Sequence, residues 1–397
     1  MSRFRKGLTL AAAAIGLLAQ PAMAADNDWN IGFISTRSGP LKEVGDSTAV
    51  AIEMATNDIN AAGGIEGRKI RLVEYDSAGD PRQASVGVRT LANDSKVLAI
   101  IGPLSSGETG VAMNDAERIK LLMLPYSSSA PGLTAGKTFT WRLSATEDKQ
   151  FNRLLKALPA KNVKLDTADI MYVSDDRIAN VTGTKVYQTL LDKGGVKILR
   201  TISININSFD VSAQVAQILQ DNPDVVALAA NYAQAVTVLR ELHRQNYKGR
   251  VIGSQLFADP NLVGLFGHDA DGMIFVSGFW SHRDKQAEDF SARFVKAMAA
   301  KGFTKLAPHH VDAQAYDTVY LLKDAIERSK VTGAADKVDE ERIALRDALK
   351  GINFSGVVGD NICFNGGDAE LPGYIIEIRN AQWSLFDSFP PDACKAP

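Results

Sequence analysis

Short apolar runs alternate with segments of helical periodicity along most of this chain, and this alternation constrains the fold more than any other feature. The first series of predicted strands lies at residues 31–35, 69–76, 98–101 and 121–124, the last two of which are apolar throughout. The second series lies at residues 168–173, 196–203, 225–230 and 250–253. Runs that are almost purely apolar are typical of parallel strands covered by helices on both faces. The pattern therefore predicts an α/β chain with two parallel sheets.

The rest of the chain adds one strand, then helices, then a hairpin. We predict the strand at residues 273–278 and the helices at residues 287–300, 313–329 and 340–349. Residues 357–386 have hairpin character, with Gly366 and Gly367 in a turn. No low-complexity linker separates the two series, so we expect two closely coupled lobes.

The N-terminus has the features of a secretory signal. Three basic residues precede an apolar run at residues 8–18, and small residues at 22–24 supply a cleavage site. The run is too short to span a membrane, so we predict that residues 1–24 are removed on export to the periplasm. Because no cysteine lies near the cleavage site, we expect no lipid anchor and no direct membrane attachment.

Two serine clusters follow neighbouring predicted strands within residues 98–131. Ser105 and Ser106 follow the first of these strands, and the second is followed by Ser127, Ser128 and Ser129. Parallel strands present their carboxyl ends at one edge of a sheet, so both clusters would face one crevice. A helix that begins near Ser106 would add unpaired N–H groups and a positive dipole end, which suits a carboxylate. A serine before a helix is also the ordinary N-cap, and this alternative stays open.

Other chemistries lack the residues that they require. Residues 102–109 approach the spacing of a phosphate loop, but Glu108 stands where that motif needs lysine. The sequence has no nucleophile elbow and no dinucleotide fingerprint. The adjacent His309 and His310 would point about 100° apart on a helix and would not converge on a metal ion. We predict no enzyme activity, no cofactor and no metal site. The formal net charge is −2 for the whole chain and about −5 once the three basic residues of the signal are removed, and this mildly acidic charge argues against nucleic acid or an anionic membrane as partner.

The chain has two cysteines, Cys363 and Cys394. An oxidising compartment favours a disulfide between them, and closure of that loop would stabilise the fold by about 3–4 kcal/mol on the entropic model. Two buried free thiols are the alternative.

Several short motifs, in order along the chain, indicate a family. They are Arg37-Ser38-Gly39-Pro40, DINAAGGIEG at 58–67, Tyr75-Asp76, Asp80-Pro81, IGPLSS at 101–106 and Ala315-Tyr316-Asp317. With these motifs the chain resembles the extracytoplasmic solute-binding proteins of the leucine/isoleucine/valine type. The resemblance implies a type I periplasmic-binding fold, in which two Rossmann-like lobes with parallel sheets are joined by a three-crossing hinge.

The resemblance also implies where the lobes begin and end. We place the hinge crossings near Ser144, Met273 and Gly373. The N-terminal lobe would comprise residues 25–144 and 273–372. The C-terminal lobe would comprise residues 145–272 and 373–397.

Ligand-binding positions carry over from the family where its motifs match. A ligand carboxylate would bind Ser106, Ser127 and Ser129, and Ser128 is included because the run is ambiguous by one residue. Relatives that bind α-amino acids place an acidic residue on the second lobe, where this chain has Gln255. An amide carries no charge to offset the desolvation of a buried ammonium, so this departure predicts weakened amino-acid binding.

The remaining pocket positions also differ from the family pattern. Val44 stands where an aromatic residue is frequent, and Asn180 stands where a Tyr-Gly turn is usual. Tyr232 is an aromatic residue that is retained. The smaller side chains at these positions and the missing acid together favour a bulkier or aromatic carboxylate, or an amide, over a plain aliphatic amino acid. The alternative is that Val44 and Asn180 are ordinary helix-start residues outside the pocket.

Together these features predict a monomeric periplasmic protein that captures a small carboxylate by hinge closure and delivers it to the membrane permease subunits of an ABC importer. The ligand would be a branched-chain or other amino acid, or an aromatic acid. A ligand-sensing subunit for a receptor or a two-component system is the alternative, because the same fold serves both.

Overall fold

The computed structural model describes residues 28–394, and the signal predicted at residues 1–24 lies outside that range. The first sheet is parallel, with the strand order β2-β1-β3-β4. Its strands are β1 (Trp29–Ser35), β2 (Ile70–Asp76), β3 (Ala99–Ile101) and β4 (Leu122–Leu124). The helices between them are α1 (Lys42–Ala61), α2 (Pro81–Asn93) and α3 (Ser106–Ile119).

The second half of the alternation builds another sheet. Its strands are β5 (Thr167–Val173), β6 (Lys197–Ile204), β7 (Val225–Ala229), β8 (Arg250–Gly253) and β9 (Ile274–Ser277). Its helices are α4 (Glu147–Ala160), α5 (Arg177–Val181), α6 (Gln188–Lys193), α7 (Ser212–Asp221), α8 (Tyr232–Arg244) and α9 (Val263–Phe266). A π-helical turn, Thr182–Tyr187, joins α5 to α6, and a short 3₁₀ turn, Gln255–Phe257, follows β8.

The end of the chain is shared between the two lobes. Three helices, α10 (Lys285–Ala300), α11 (His310–Ser329) and α12 (Val338–Ala348), contribute to the core of the first sheet. The predicted hairpin is present as β10 (Cys363–Asn365) and β11 (Asp368–Glu370). The last strands, β12 (Gly373–Arg379) and β13 (Gln382–Phe389), extend the second sheet antiparallel, so that its order is β13-β12-β9-β8-β7-β5-β6.

Both sheets are covered on their two faces, as their apolar strands predict. In the first lobe, α1, α10 and α11 contribute to the core on one face, whereas α2 and α3 form the core on the other. In the second lobe, α7 and α8 pack on one face, while α4 and α6 pack on the other. The predicted α/β class with two parallel-stranded lobes is confirmed.

The hinge crossings can be located from the side chains that pack in each core. The chain passes to the second lobe between Ala145 and Phe151 and returns between Val276 and Phe279. It crosses a third time between Leu371 and Tyr374.

One predicted boundary is wrong. The predicted crossing near Met273 assigns residue 273 onward to the first lobe, but β9 pairs with β8 and β12 in the second sheet. The crossing therefore follows Ser277, whose side chain donates a hydrogen bond to the carbonyl of Phe279 at 2.7 Å.

The C-terminal tail leaves the second lobe after β13. A disulfide joins Cys394 to Cys363, whose strand β10 borders the first-lobe core through Phe364. The Lys149 ammonium of α4, in the second lobe, lies 2.8 Å from the Asp392 carboxylate, so the tail still contacts the second lobe shortly before the disulfide. Residues 373–397, which we assigned to the second lobe as a block, therefore return to the first lobe at Cys394.

Candidate functional site

The two serine clusters emerge at the same edge of the first sheet. Strands β3 and β4 are parallel and pair Ile101 with Leu124, so the loops that follow them start side by side. Gly102 begins the first loop with a φ of 96°, and a Cβ there would lie 2.5 Å from the Ile34 carbonyl oxygen. Only glycine fits so close to β1, and this tight turn directs the chain toward Ser105 and Ser106.

The first cluster forms the start of α3. Ser105 is the N-cap and forms a capping box with Glu108. The fully buried Glu108 carboxylate accepts hydrogen bonds from the Ser105 backbone N–H, the Ser105 hydroxyl and the Ser77 hydroxyl, at 3.0, 2.7 and 2.6 Å. The N–H groups of Ser106 and Gly107 lie in the first turn and have no helical acceptor. The alternative that Ser105 is an ordinary N-cap is therefore correct, and Ser106 remains the candidate ligand residue.

The three serines of the second cluster differ in burial: Ser128 points into the protein, whereas Ser127 and Ser129 are partly exposed. The Ser128 hydroxyl is fully buried and lies 2.7 Å from that of Thr109, so the structure removes Ser128 from the predicted ligand set. Ser127 and Ser129 are half-buried, and their hydroxyls form no hydrogen bond with another residue in the range 28–394. The Ser106 hydroxyl accepts from the Ala130 N–H at 3.2 Å, which joins the two clusters.

A buried arginine holds this loop in place. One nitrogen of the Arg142 guanidinium donates to the carbonyls of Ser128 and Ala130 at 2.8 and 2.7 Å, and another donates to Asp368 at 2.6 Å. The Ser144 hydroxyl also donates to the Ser128 carbonyl. These bonds tie the serine loop to the first hinge crossing.

The three predicted second-lobe residues follow the carboxyl ends of β5, β7 and β8. Asn180 lies in α5, and its side-chain nitrogen donates to the Ser174 carbonyl at 2.9 Å, so this donor is used within the lobe. Tyr232 opens α8 and packs against the second-lobe core. Burial raises the pKa of its hydroxyl, and the carboxylates of Asp259 and Glu43 raise it further. Because Glu43 belongs to the first lobe, the two lobes approach each other at Tyr232.

Gln255 is buried at the start of the 3₁₀ turn and has an acidic neighbour that the sequence analysis missed. Glu147, the first residue of α4, donates its backbone N–H to the Ser129 carbonyl at 3.0 Å. Burial raises the pKa of its carboxyl, whereas Ser254 and Gln255, which face that carboxyl, lower it. One of its oxygens, Oε1, is buried with no hydrogen-bond partner among the described residues. In the sequence, Glu147 is distinguished only as an acidic residue that closely follows the predicted hinge crossing near Ser144.

A first-lobe loop contacts the second lobe beside the exposed Val44. The Lys305 ammonium in this loop lies 3.6 Å from Glu43 of the first lobe and 4.0 Å from Asp259 of the second lobe. Asn261 accepts a hydrogen bond from the Leu306 N–H at 2.6 Å and donates to the Ala307 carbonyl at 3.2 Å. Val44 is therefore the chain neighbour of Glu43, whose ion-pair partner Lys305 also lies near Asp259 of the second lobe.

Across residues 28–394, no cluster of three or more His, Cys, Asp or Glu side chains could hold a metal ion. Within the same range, no helix combines the length and the apolar character needed to cross a bilayer. A cavity of about 530 Å³ lies elsewhere on the first lobe and is lined by Arg68, Lys330 and Thr332 among others, away from the serine clusters.

Two lobes of parallel strands, with polar groups at the facing carboxyl edges and three chain crossings between them, define a type I two-lobed binding protein. The sequence profile of the family described as "Periplasmic binding protein" matches residues 28–382. The chain therefore belongs to the periplasmic binding protein family.

Curated relatives carry related names. The Leu/Ile/Val/Thr-binding protein of Salmonella typhimurium is 30% identical over 270 residues, which is 68% of this chain and 73% of the relative. The Leu/Ile/Val-binding protein homolog 3 of Brucella melitensis is 25% identical over 357 residues, which is 89% of this chain and 92% of the relative.

Solved structures share the fold. A branched-chain amino acid transporter substrate-binding protein from Streptococcus pneumoniae, in complex with isoleucine, has a TM-score of 0.73 at 21% identity, with coverage of 92% of this chain and 100% of that one. A solute-binding protein of an ABC transporter from Rhodopseudomonas palustris, in complex with 3,4-dihydroxybenzoic acid, has a TM-score of 0.74 at 18% identity, with coverage of 92% and 98%. The predicted type I periplasmic-binding fold is confirmed.

Proposed function

We propose that this protein is the periplasmic substrate-binding component of an ABC importer and that it captures a small carboxylate between its lobes. The observation that carries the proposal is the first-lobe wall of the crevice. There the hydroxyls of Ser127 and Ser129 have no hydrogen-bond partner in the described chain. The N–H groups of Ser106 and Gly107, in the first turn of α3, have no helical acceptor, and the Ser106 hydroxyl joins this turn to the second serine loop. Hydroxyl donors and a helix N-terminus together stabilise a carboxylate.

Contacts of the bound ligand with the second lobe would draw the two lobes together. A ligand held by Ser106 and Ser129 would also contact the second lobe near Gln255 and Tyr232, and such bridging contacts exist only when the lobes are together. Binding therefore stabilises the closed form by its differential affinity, and a permease could recognise the closed surface. The names of the relatives support this role, since they are Leu/Ile/Val-binding proteins and solute-binding proteins of ABC transporters.

The test is ligand binding by the double variant Ser106→Ala with Ser129→Ala. Isothermal titration of the purified protein with leucine, benzoate and their analogues identifies a ligand, which also raises the unfolding midpoint. Two lost hydrogen bonds to a charged group are worth about 3–6 kcal/mol, so we expect binding to fall by at least 100-fold. The unfolding midpoint of the ligand-free variant should stay within a few degrees of the parent.

A matched control is the pair Ser291→Ala and Ser329→Ala, whose hydroxyls donate to carbonyls of their own helices. This variant should bind as the parent does. Undiminished affinity in the Ser106 and Ser129 variant would refute the site, and hydrolysis or conversion of the bound ligand would refute a pure binding role.

A further inference from the structure

We propose that the disulfide-closed C-terminal tail is a fourth connection between the two lobes and that it limits how far they open. The other three connections are the crossings of the main chain. The tail adds one more because it leaves the second lobe after Phe389 and is bonded to the first lobe through Cys394 and Cys363. The restraint concerns the opening of the lobes and goes beyond ligand capture, so it can be tested without a ligand.

The two ends of the tail are fixed in different cores. Cys363 lies between Ile362, which is buried in the first-lobe core, and Phe364, which packs against that core. At the other end, Phe389 packs against the second-lobe core that includes α4 and α6. The stretch from Phe389 to Cys394 therefore spans from one lobe to the other.

The tail leaves the second sheet beside two of the main-chain crossings. Strand β12 pairs Tyr374 with Ser277 of β9 on one side and with Ser388 of β13 on the other. The crossing after Ser277, the crossing before Tyr374 and the tail after Ser388 thus start from three adjacent strands at one edge of the sheet. Neighbouring strands lie about 4.8 Å apart, so the tail is displaced by roughly 10 Å from the crossing after Ser277. A tether at this distance resists rotation of one lobe against the other.

The tail is too short to permit a large separation of its anchors. Beyond Phe389 it consists of Pro390, Pro391, Asp392, Ala393 and Cys394. An extended chain of this length spans at most about 18 Å, and the two prolines stiffen it further. The anchors of the tail in the two lobes can therefore move apart only within this limit while the disulfide is closed.

Two basic side chains of α4 hold the tail at the hinge. The Lys149 ammonium and the Arg153 guanidinium lie 2.8 and 3.6 Å from the Asp392 carboxylate. Arg153 also donates to the carbonyl of Pro390 at 3.4 Å and to that of Leu371, at the third crossing, at 2.8 Å. Since α4 begins directly after the first crossing, these contacts join the tail to two of the main-chain crossings.

Reduction of the disulfide tests the restraint in the unaltered chain. The sequence has two cysteines, so dithiothreitol acts at one bond. Its dithiol is oxidised to a cyclic disulfide, while the sulfur atoms of Cys363 and Cys394 take up two electrons and two protons. Small-angle X-ray scattering of the ligand-free protein measures the radius of gyration, which is about 21 Å for a compact chain of this length. We expect it to rise by roughly 1 Å on reduction, because the lobes open further.

A lengthened tail separates the restraint from the stability that the disulfide confers. Insertion of Gly-Ser-Gly-Ser between Asp392 and Ala393 keeps both cysteines and the contacts with α4, and it adds about 13 Å of reach. The oxidised variant should show the same rise in the radius of gyration as the reduced parent, with an unfolding midpoint within a few degrees of the oxidised parent. The matched control carries the same insertion directly after Cys394, outside the loop that the disulfide closes, and should scatter as the parent does.

Each outcome supports or overturns the restraint. An unchanged radius of gyration after complete reduction, verified by mass spectrometry of the alkylated thiols, would refute it. A rise on reduction that the lengthened variant does not reproduce would also refute it, because the disulfide would then act on the stability of the fold and not through the length of the tail. A failure to bind any carboxylate would contradict the proposed function and leave this result unaffected.

Discussion

The two walls of the crevice each contain a glutamate, and the two glutamates differ in burial and in partners: Glu108 is fully buried, whereas Glu147 is half-buried with one buried oxygen. On the first wall, Glu108 accepts three hydrogen bonds, two from Ser105 and one from Ser77. On the second wall, Glu147 has an oxygen with no partner among the described residues. Both acids lie in the first turn of a helix, where a carboxylate interacts favourably with the dipole.

The difference lies in how fully the hydrogen-bonding capacity of each carboxylate is used. The Glu108 carboxylate is satisfied by Ser105 of its own loop and by Ser77, which follows β2, and it has little to gain from a ligand. The Glu147 carboxyl pays the desolvation of burial without a full set of hydrogen bonds, so a donor from outside would lower its free energy. The first wall therefore holds its glutamate in a complete set of hydrogen bonds, whereas the second wall leaves one glutamate oxygen without a partner among the described residues.

Replacement of Glu108 should have the largest effect on stability. The variant Glu108→Ala removes the acceptor of three hydrogen bonds and half of the capping box, so we expect the free energy of unfolding to fall by about 2–4 kcal/mol. Urea denaturation followed by circular dichroism measures this change. Glu147→Gln should instead change stability by less than about 1 kcal/mol, because it removes a buried charge without removing hydrogen-bonding capacity.

The control for this comparison is Glu340→Ala on the exposed face of α12, which should change stability by no more than about 0.5 kcal/mol. If Glu147→Gln proves more destabilising than Glu108→Ala, then the two glutamates have the opposite roles.

A third buried carboxyl sharpens the comparison because it lies away from the crevice. Both oxygens of Asp169 in β5 lack hydrogen-bond partners among the described residues. Burial raises its pKa to about 6, and the Asp221 carboxylate adds to the rise against the opposing effect of Arg200. The folded protein thus keeps a proton that the unfolded chain releases near pH 4, so stability is full below that pH and declines as the pH rises through about 6.

We therefore expect Asp169→Asn to stabilise the protein at pH 8 by about 1–2 kcal/mol, allowing for solvent screening, and to have little effect at pH 4. Unfolding midpoints in urea at both pH values measure the effect, and the exposed Asp336→Asn serves as the control. Ligand binding should not change. A stabilisation that is equal at both pH values would contradict the raised pKa.

The smallest expected effect comes from the hydrogen bonds that join the two lobes at Asn261. Asn261 forms two hydrogen bonds with the first-lobe loop, to Leu306 and Ala307, and both join one lobe to the other. Removal of such bonds disfavours the closed form, so Asn261→Ala should weaken ligand binding by about threefold to tenfold, mainly through faster dissociation. Stopped-flow or surface-plasmon measurements detect this change.

The exposed Asn93→Ala at the end of α2 is the matched control and should leave the dissociation rate unaltered. A slower dissociation from Asn261→Ala would show that the loop contact opposes closure.

Much of the first wall could be predicted from local sequence. The apolar runs at β3 and β4, the serines that follow them and the helix between them are all consequences of interactions between residues close in the chain. The pairing of Ser105 with Glu108 is also a local signature, since an N-cap serine and an acid three residues later form a capping box. The sequence analysis interprets Glu108 only as the residue that excludes a phosphate loop. Its position three residues after Ser105 already indicates the capping box that the structure shows.

Other features could not be predicted because they depend on which segments meet. The apolar run of β9 suits either sheet, since both sheets are covered on two faces, and only its pairing with β8 and β12 assigns it to the second lobe. Ser128 differs from Ser127 and Ser129 only in the direction that its side chain takes after β4. That direction is set by contact with Thr109 and by the bonds of Arg142 to the loop backbone.

The sequence by itself determined the two-lobed α/β architecture, the serine-lined wall and the helix start that faces it, because periodicity, turns and caps are local. Only the tertiary structure decided that Glu147 stands beside Gln255 and that Lys305 and Asn261 connect the lobes. The physical reason is that burial and the loss of hydrogen-bond partners arise from packing between distant segments. A glutamate in a helical first turn has no distinguishing signal in sequence, and its environment is defined only when the two lobes pack.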